Sequence, residues 1–195
     1  KNTHENEQFR RVVDIIEATF EKFGYNGLLL GNPFNESYSR FRADAILYYN
    51  NVIVLIDFKD YKGIIKLPPN ENEFQQCAWH NESQKDRSRL EIKAGSRFAN
   101  PFRQLVSYRN AFRELIEKSK YFDGINPAKI CIANVFSGPI EIHNEVPRNL
   151  PYYKLIQESN LSNFLYDFAS ENTFTENIAN TLKSVFPAEK WIKNV

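Results

Sequence analysis

The run Val52-Ile53-Val54-Leu55-Ile56 leaves a folding chain little choice. Five consecutive branched apolar side chains with no polar interruption read as a buried strand. A second β-rich run, residues 43–49, precedes it, and Asn50-Asn51 joins the two. That pair tolerates positive φ and suits a tight turn, so the spacing predicts a β-hairpin over 43–58. The second run ends on Asp57-Phe58-Lys59. Charges at the point where a strand leaves the core need partners or a metal.

The elements on either side are read in the same way. Phe9, Val12, Val13, Ile16, Phe20 and Phe23 recur at helical spacing and Gly24 is placed to stop the run, which predicts an amphipathic helix over about residues 5–23. Residues 25–42 mix Gly, Asn, Pro and Ser around Leu28-Leu29-Leu30, a short strand followed by loop. Ile64 to Leu67 is a third strand, stopped by Pro68-Pro69, and residues 70–99 read as polar and irregular apart from Cys77-Ala78-Trp79. Asn100-Pro101 is an N-cap followed by proline at the first helical position, and predicts a helix to about Ser119. Lys129 to Phe136 is an apolar strand, and helical patterns follow near 159–170 and 175–186. With no internal repeat or linker, 1–195 is expected to be one α/β domain with a central mixed sheet flanked by helices.

Composition narrows the function classes without choosing one. A chain of 195 residues, 42% hydrophobic and 14% aromatic, can close one sizeable core and lacks the signature of disorder. It has no apolar run of the ~20 residues a membrane span requires and a polar start, so the expectation is a soluble, intracellular, cytoplasmic protein with no membrane partner. Cys77 and Cys131 are far apart and indicate neither disulfides nor zinc. The absence of Met is compatible with processing or a larger parent protein. Net charge is +1, so a nucleic-acid partner has to be argued from the distribution of charge.

The constellation that carries chemistry is Asp44, twelve residues, then Asp57-Phe58-Lys59. On the predicted hairpin the two acids fall on adjacent strands, roughly 5 Å apart at Cβ if opposed and about 7–8 Å on the diagonal, so they can share one divalent cation. Period-2 alternation puts Asp57 and Lys59 on one face. A hard cation accepts such carboxylates together with water, and a lysine beside the attacking water completes an arrangement for phosphodiester hydrolysis. The bland alternative for an isolated D-x-K is a solvated charge at a strand end.

Four stretches carry a resemblance: Arg42-Ala43-Asp44-Ala45-Ile46-Leu47; Val54 through Gly63 with Asp57-Phe58-Lys59 inside it; Trp79; and Asn100-Pro101-Phe102-Arg103-Gln104-Leu105. By these motifs and their order, over about residues 42–136, the chain resembles the nuclease-related domain family, NERD, a branch of the PD-(D/E)xK superfamily. Gln104-x-x-x-Tyr108 also looks like the Q-x-x-x-Y motif of helicase-associated nucleases in that superfamily. The resemblance implies a restriction-endonuclease-like fold with the site at one end of its sheet, Mg²⁺ or Mn²⁺ as cofactor, and DNA as substrate. Asp57 stands where the family more often has glutamate. The superfamily commonly adds a glutamate from the first helix, for which Glu5, Glu7 and Glu17 are candidates, and helix phase favours Glu5.

The resulting expectation has Asp44 and Asp57 binding metal, with Glu5 as an additional ligand direct or through water. Lys59 assists the water, and Gln104 and Tyr108, one helical turn apart, position water or phosphate. For these two the alternative is an ordinary half-buried helix face. Lys85, Arg87, Arg89, Lys93 and Arg97, with Arg103 and Arg109 on the next helix, form either a phosphate track or a solvated loop; Arg97, Arg103 and Arg109 are the candidates for nucleic-acid contact. Trp79 is expected to pack. A helicase or another domain of a larger protein is a conceivable partner. The rival is a non-catalytic module that binds nucleic acid or protein, and a third reading is a phosphodiesterase acting on small nucleotides or RNA.

Overall fold

The computed structural model describes the backbone of residues 3–38, 41–95, 97–118, 122, 124–169 and 173–194, and within these the side chains of all but 3–6, 38 and 188–194. In chain order the elements are α1 (Thr3–Phe23), β1 (Gly27–Pro33), β2 (Ala45–Tyr49), β3 (Val52–Lys59), β4 (Gly63–Lys66), α2 (Glu71–Gln76), β5 (His80–Glu82), β6 (Arg89–Glu91) and α3 (Pro101–Lys118). They continue with β7 (Ile130–Phe136), β8 (Ile140–His143), β9 (Tyr153–Gln157), α4 (Leu161–Phe168), α5 (Glu176–Val185) and β10 (Ala188–Asn194). Among the described residues no helix is long and apolar enough to cross a membrane.

The hairpin is the seed of a six-stranded mixed sheet in the order β10-β1-β2-β3-β7-β9. Asn50 and Asn51 take φ of 44° and 58°, the left-handed pair that a two-residue turn between twisted strands requires. Strands from β10 to β3 run antiparallel to their neighbours, whereas β3, β7 and β9 are parallel. All eight residues of β3 are buried, because helices cover both faces of the sheet. One face packs Phe9, Val12, Val13, Ile16 and Phe20 of α1, with Leu161 and Leu165 of α4, on Val52, Val54 and Ile56. The other packs Phe102, Leu105 and Phe112 of α3, with Ile178 and Leu182 of α5, on Ile53 and Leu55.

A second, four-stranded sheet in the order β6-β5-β4-β8 lies beyond β3. Together the two mixed sheets and their flanking helices give the restriction-endonuclease-like α/β architecture expected of the sequence. Residues 70–99 correct the reading of that stretch as irregular: they hold α2, β5 and β6. Asn70 caps α2 by accepting from the Glu73 amide at 2.9 Å, and Phe74, Trp79 and Ile92 reach the core. Strands of three residues with half-buried or exposed side chains carry no period that a sequence window detects. Trp79 packs as expected, its Nε1 donating to the Phe74 carbonyl at 3.1 Å.

The Asn100-Pro101 signal starts α3, and its side chain does more than cap. Oδ1 accepts from the Arg103 amide at 2.9 Å while Nδ2 donates to the carbonyls of Phe74 at 3.0 Å and Cys77 at 2.8 Å, so α2 and α3 are tied at one buried residue. Asn100→Ala should therefore cost about 2 kcal/mol, roughly half from the lost cap and half from the abandoned carbonyls. Urea unfolding of the two proteins measures it, and Asn100→Asp, which keeps the cap oxygen but turns a second acceptor on the two carbonyls, should lose at least as much.

Candidate active site

Two features of the hairpin aim its charged residues. Ala45 pairs with Ile56 at the end of the β2–β3 ladder, which leaves Asp44 just before β2 and beside the end of β3. The Asp44 amide donates to the Ile56 carbonyl at 2.9 Å, and Asp44 Oδ2 accepts from the Phe58 amide at 2.8 Å. The carboxyl at the edge of β2 is thereby held against the end of β3. Alternation then puts Asp57 and Lys59 on the same side as Ile53 and Leu55, the side covered by α3.

On that side α3 supplies Gln104 and Tyr108, both buried. Lys59 Nζ lies 2.8 Å from Asp57 Oδ2 and donates to Gln104 Oε1 at 3.2 Å, and Gln104 Nε2 donates to the Tyr108 hydroxyl at 3.0 Å. The sequence pattern thus brings Asp44, Asp57, Lys59, Gln104 and Tyr108 together. Two further residues, absent from the sequence reading, join them. Asn134 pairs with Asp57 across the parallel β3–β7 ladder and donates from Nδ2 to Asp57 Oδ2 at 2.9 Å. Tyr153 at the start of β9 donates from its hydroxyl to Asn134 Oδ1 at 3.0 Å. The one available signal was Asn134 itself, a lone amide inside the apolar strand Ile130-Cys131-Ile132-Ala133-Asn134-Val135-Phe136.

Other expected residues distribute differently. The side chain of Glu5 lies outside the described residues; α1, which carries it, packs on the opposite face of the sheet from Asp57. Glu7 is exposed and Glu17 half-buried on the same helix. Arg97 is exposed in a loop that passes over the site: a Cβ on Gly95 would lie 3.8 Å from Gln104 Nε2, and the Phe98 ring stands edge-on to Tyr108 with centroids 6.4 Å apart. Arg103 is exposed beside Gln104 on α3. Arg109 is not brought to the site. Its Nε donates to the Ile130 carbonyl at 2.8 Å and its guanidinium lies 4.2 Å from the Tyr152 ring, at the end of the sheet where β7 begins.

Asp57 is 4% exposed, and burial pushes its carboxyl up to about 6. Lys59 opposes that rise, while Asp44, within hydrogen-bonding reach, adds to it. Burial likewise raises Tyr108, which therefore remains a hydroxyl donor at neutral pH. A buried acid whose proton affinity is raised by a second acid beside it is a place where a hard divalent cation could replace the proton. Among the described residues no group of three or more His, Cys, Asp or Glu is gathered. Two carboxylates suit Mg²⁺ or Mn²⁺, which keep water and substrate oxygens as the remaining ligands, better than a cation that demands an all-protein cage.

A family model described as nuclease-related domain, NERD, matches residues 3–136. No curated protein and no solved structure matches the chain.

The electrostatics of the pair make an expected outcome. In Asp44→Asn the carboxylate that reinforces the rise is gone, so the Asp57 midpoint should fall from about 6 yet stay above the ordinary 3.8, because burial is the larger cause. Carboxyl-carbon NMR titration in EDTA reads this, and an unchanged midpoint would show that the two groups do not interact.

Proposed function

The chain belongs to the nuclease-related domain family, and we propose that it is a Mg²⁺- or Mn²⁺-dependent deoxyribonuclease acting through Asp44, Asp57 and Lys59. The observation that supports this reading most is a desolvated Asp57 carboxylate facing a second acid and touching a buried lysine. A structural ion pair needs no second acid beside it, whereas a cation site does.

Asp44 and Asp57 would hold the cation. When bound, it supplies Lewis acidity toward the phosphodiester group. Lys59 Nζ has three N–H donors and spends two, on Asp57 and Gln104, leaving one to orient the attacking water or to meet charge developing on phosphate. Gln104 acts mainly through Lys59, since its Oε1 accepts from the ammonium and its Nε2 is turned to Tyr108. The Tyr108 hydroxyl accepts from Gln104 and so keeps its proton for a phosphate oxygen or the water. Arg97 and Arg103, exposed beside this network, are the cations placed to meet a nucleic-acid backbone. The site's small number of protein ligands agrees with a substrate that brings its own phosphate oxygens.

Cleavage of linear, circular and single-stranded DNA with Mg²⁺, Mn²⁺ or EDTA tests the reading. Cleavage should require the cation and should drop by about 100-fold or more in Lys59→Ala. Equal cleavage in EDTA, or an undiminished Lys59→Ala, would refute it. Binding of DNA without cleavage would favour a non-catalytic module, and cleavage of RNA alone would change the substrate.

The pH dependence has a definite sign. Asp57 must be ionised to hold a cation, so the rate should fall as pH drops through about 6. The loss is not unfolding of this region by the same proton. A carboxyl whose folded value is raised binds its proton more tightly in the native state, so its contribution to stability grows as pH falls from about 6 toward 3.8. A rate profile and thermal melts recorded over the same pH range should therefore separate.

A further inference from the structure

We infer that Asn134 and Tyr153 form a positioning relay that fixes Asp57 for cation binding, an inference that rests on the proposed metal site. Asp57 Oδ2 accepts from both Lys59 Nζ and Asn134 Nδ2, two donors for its two lone pairs. Oδ1, which takes neither donor, would be the oxygen turned to the cation. Lys59 alone would not define the carboxylate plane, because an ammonium on a flexible stem is a near-spherical donor. Asn134 is a rigid second contact: it is 0% exposed and sits on the strand paired in register with Asp57.

A primary amide can turn either end toward its neighbour, and only one end is useful here. If Asn134 flipped, its oxygen would face the Asp57 carboxylate, two acceptors with no proton between them. The acceptor-only carboxylate selects the Nδ2 end, and Tyr153 secures that orientation from the other side. Its hydroxyl has one proton, donated to Asn134 Oδ1, so the amide is held with Nδ2 toward Asp57. The Tyr153 ring is locked in turn by Phe74, Trp79 and Phe102, with centroids at 6.0, 6.3 and 5.0 Å. The relay runs from a packed aromatic cluster through an amide to the metal-holding oxygens. Tyr153 also lies beyond residue 136, where the family match stops, so the segment after the match contributes to the site.

Titration with Mn²⁺ by calorimetry, without DNA, tests the relay apart from catalysis. Asn134→Ala and Tyr153→Phe should each weaken Mn²⁺ binding by about 10-fold, the low end for residues that orient a metal ligand. Tyr49→Phe is the control: it removes an equally buried hydroxyl, which donates to the Leu165 carbonyl at 2.7 Å on the other face and has no connection to Asp57. It should lower Tm while leaving Mn²⁺ affinity unchanged. Should Asn134→Ala not fold, Tyr153→Phe decides, since it keeps the packed ring. Wild-type affinity in Tyr153→Phe, or equal weakening in Tyr49→Phe, overturns the relay alone. A wild-type protein that binds no Mn²⁺ overturns the metal site and the relay together.

Discussion

An ionisable carboxyl at the end of a fully buried strand is the constraint around which this molecule is organised. Taking a carboxylate out of water costs several kcal/mol unless other groups replace its hydration. Asp57 recovers part of that cost from Lys59 two residues along its own strand and from Asn134 on the neighbouring strand, and the proposed cation beside Asp44 would be a third partner. Each partner has an address in the fold. Alternation supplies the first, the parallel register the second, and the hairpin the third. A slip of one residue in either ladder would turn Asp57 or its partner to the wrong face.

Both helical layers serve the same end by different means. The α1 face is largely apolar, with Gln8 and Thr19 as buried polar exceptions, and its packing is close: a Cβ on Gly27 would lie 2.5 Å from Phe20 Cε2 and 2.9 Å from the Tyr48 carbonyl oxygen. The α3 face is apolar only where it lies over the middle of the sheet. At its N-terminal turns Gln104 and Tyr108 replace hydrocarbon with hydrogen-bonding groups, where Lys59 needs an acceptor. A buried ammonium without such an acceptor would be as costly as the bare carboxylate. The polar network is therefore closed on the protein side and left open toward Asp44, which is only half-buried.

What the sequence made legible follows contact range. The hairpin, with its Asn50-Asn51 turn, and the Asn100-Pro101 cap are local signals, and Asp44, Asp57 and Lys59 lie within eight residues of the first as Gln104 and Tyr108 do of the second. Asn134 and Tyr153 are 77 and 96 positions from Asp57 and reach it only through the order β3-β7-β9, which no local pattern announces. Arg109 shows the opposite failure. Its charge and its place on α3 suggested a phosphate contact, yet a backbone carbonyl and an aromatic ring occupy it, because one residue past Tyr108 turns the side chain about 100° away from the face that Gln104 and Tyr108 share. The strands of residues 80–91 were unreadable because β5 is half-buried and β6 exposed along its whole length, so neither alternates between core and solvent.

The parallel half of the sheet explains why the site is where it is. In β3, β7 and β9 the chain runs in one direction, so the carboxyl ends of all three strands open on the same edge, the place where α/β sheets gather functional groups. Antiparallel β2 enters that edge from the opposite direction, and only its first turn, at Asp44, can contribute. One hairpin therefore gives two acids, one parallel neighbour gives the amide that steadies one of them, and the next parallel strand gives the phenol that steadies the amide. Remove β9 and Asn134 Oδ1 would lose its donor, leaving the amide steadied by nothing but the Asp57 carboxylate that it is there to steady. The sheet order is thus part of the site's chemistry: it sets two acids side by side and anchors one oxygen of Asp57 between an ammonium and an amide.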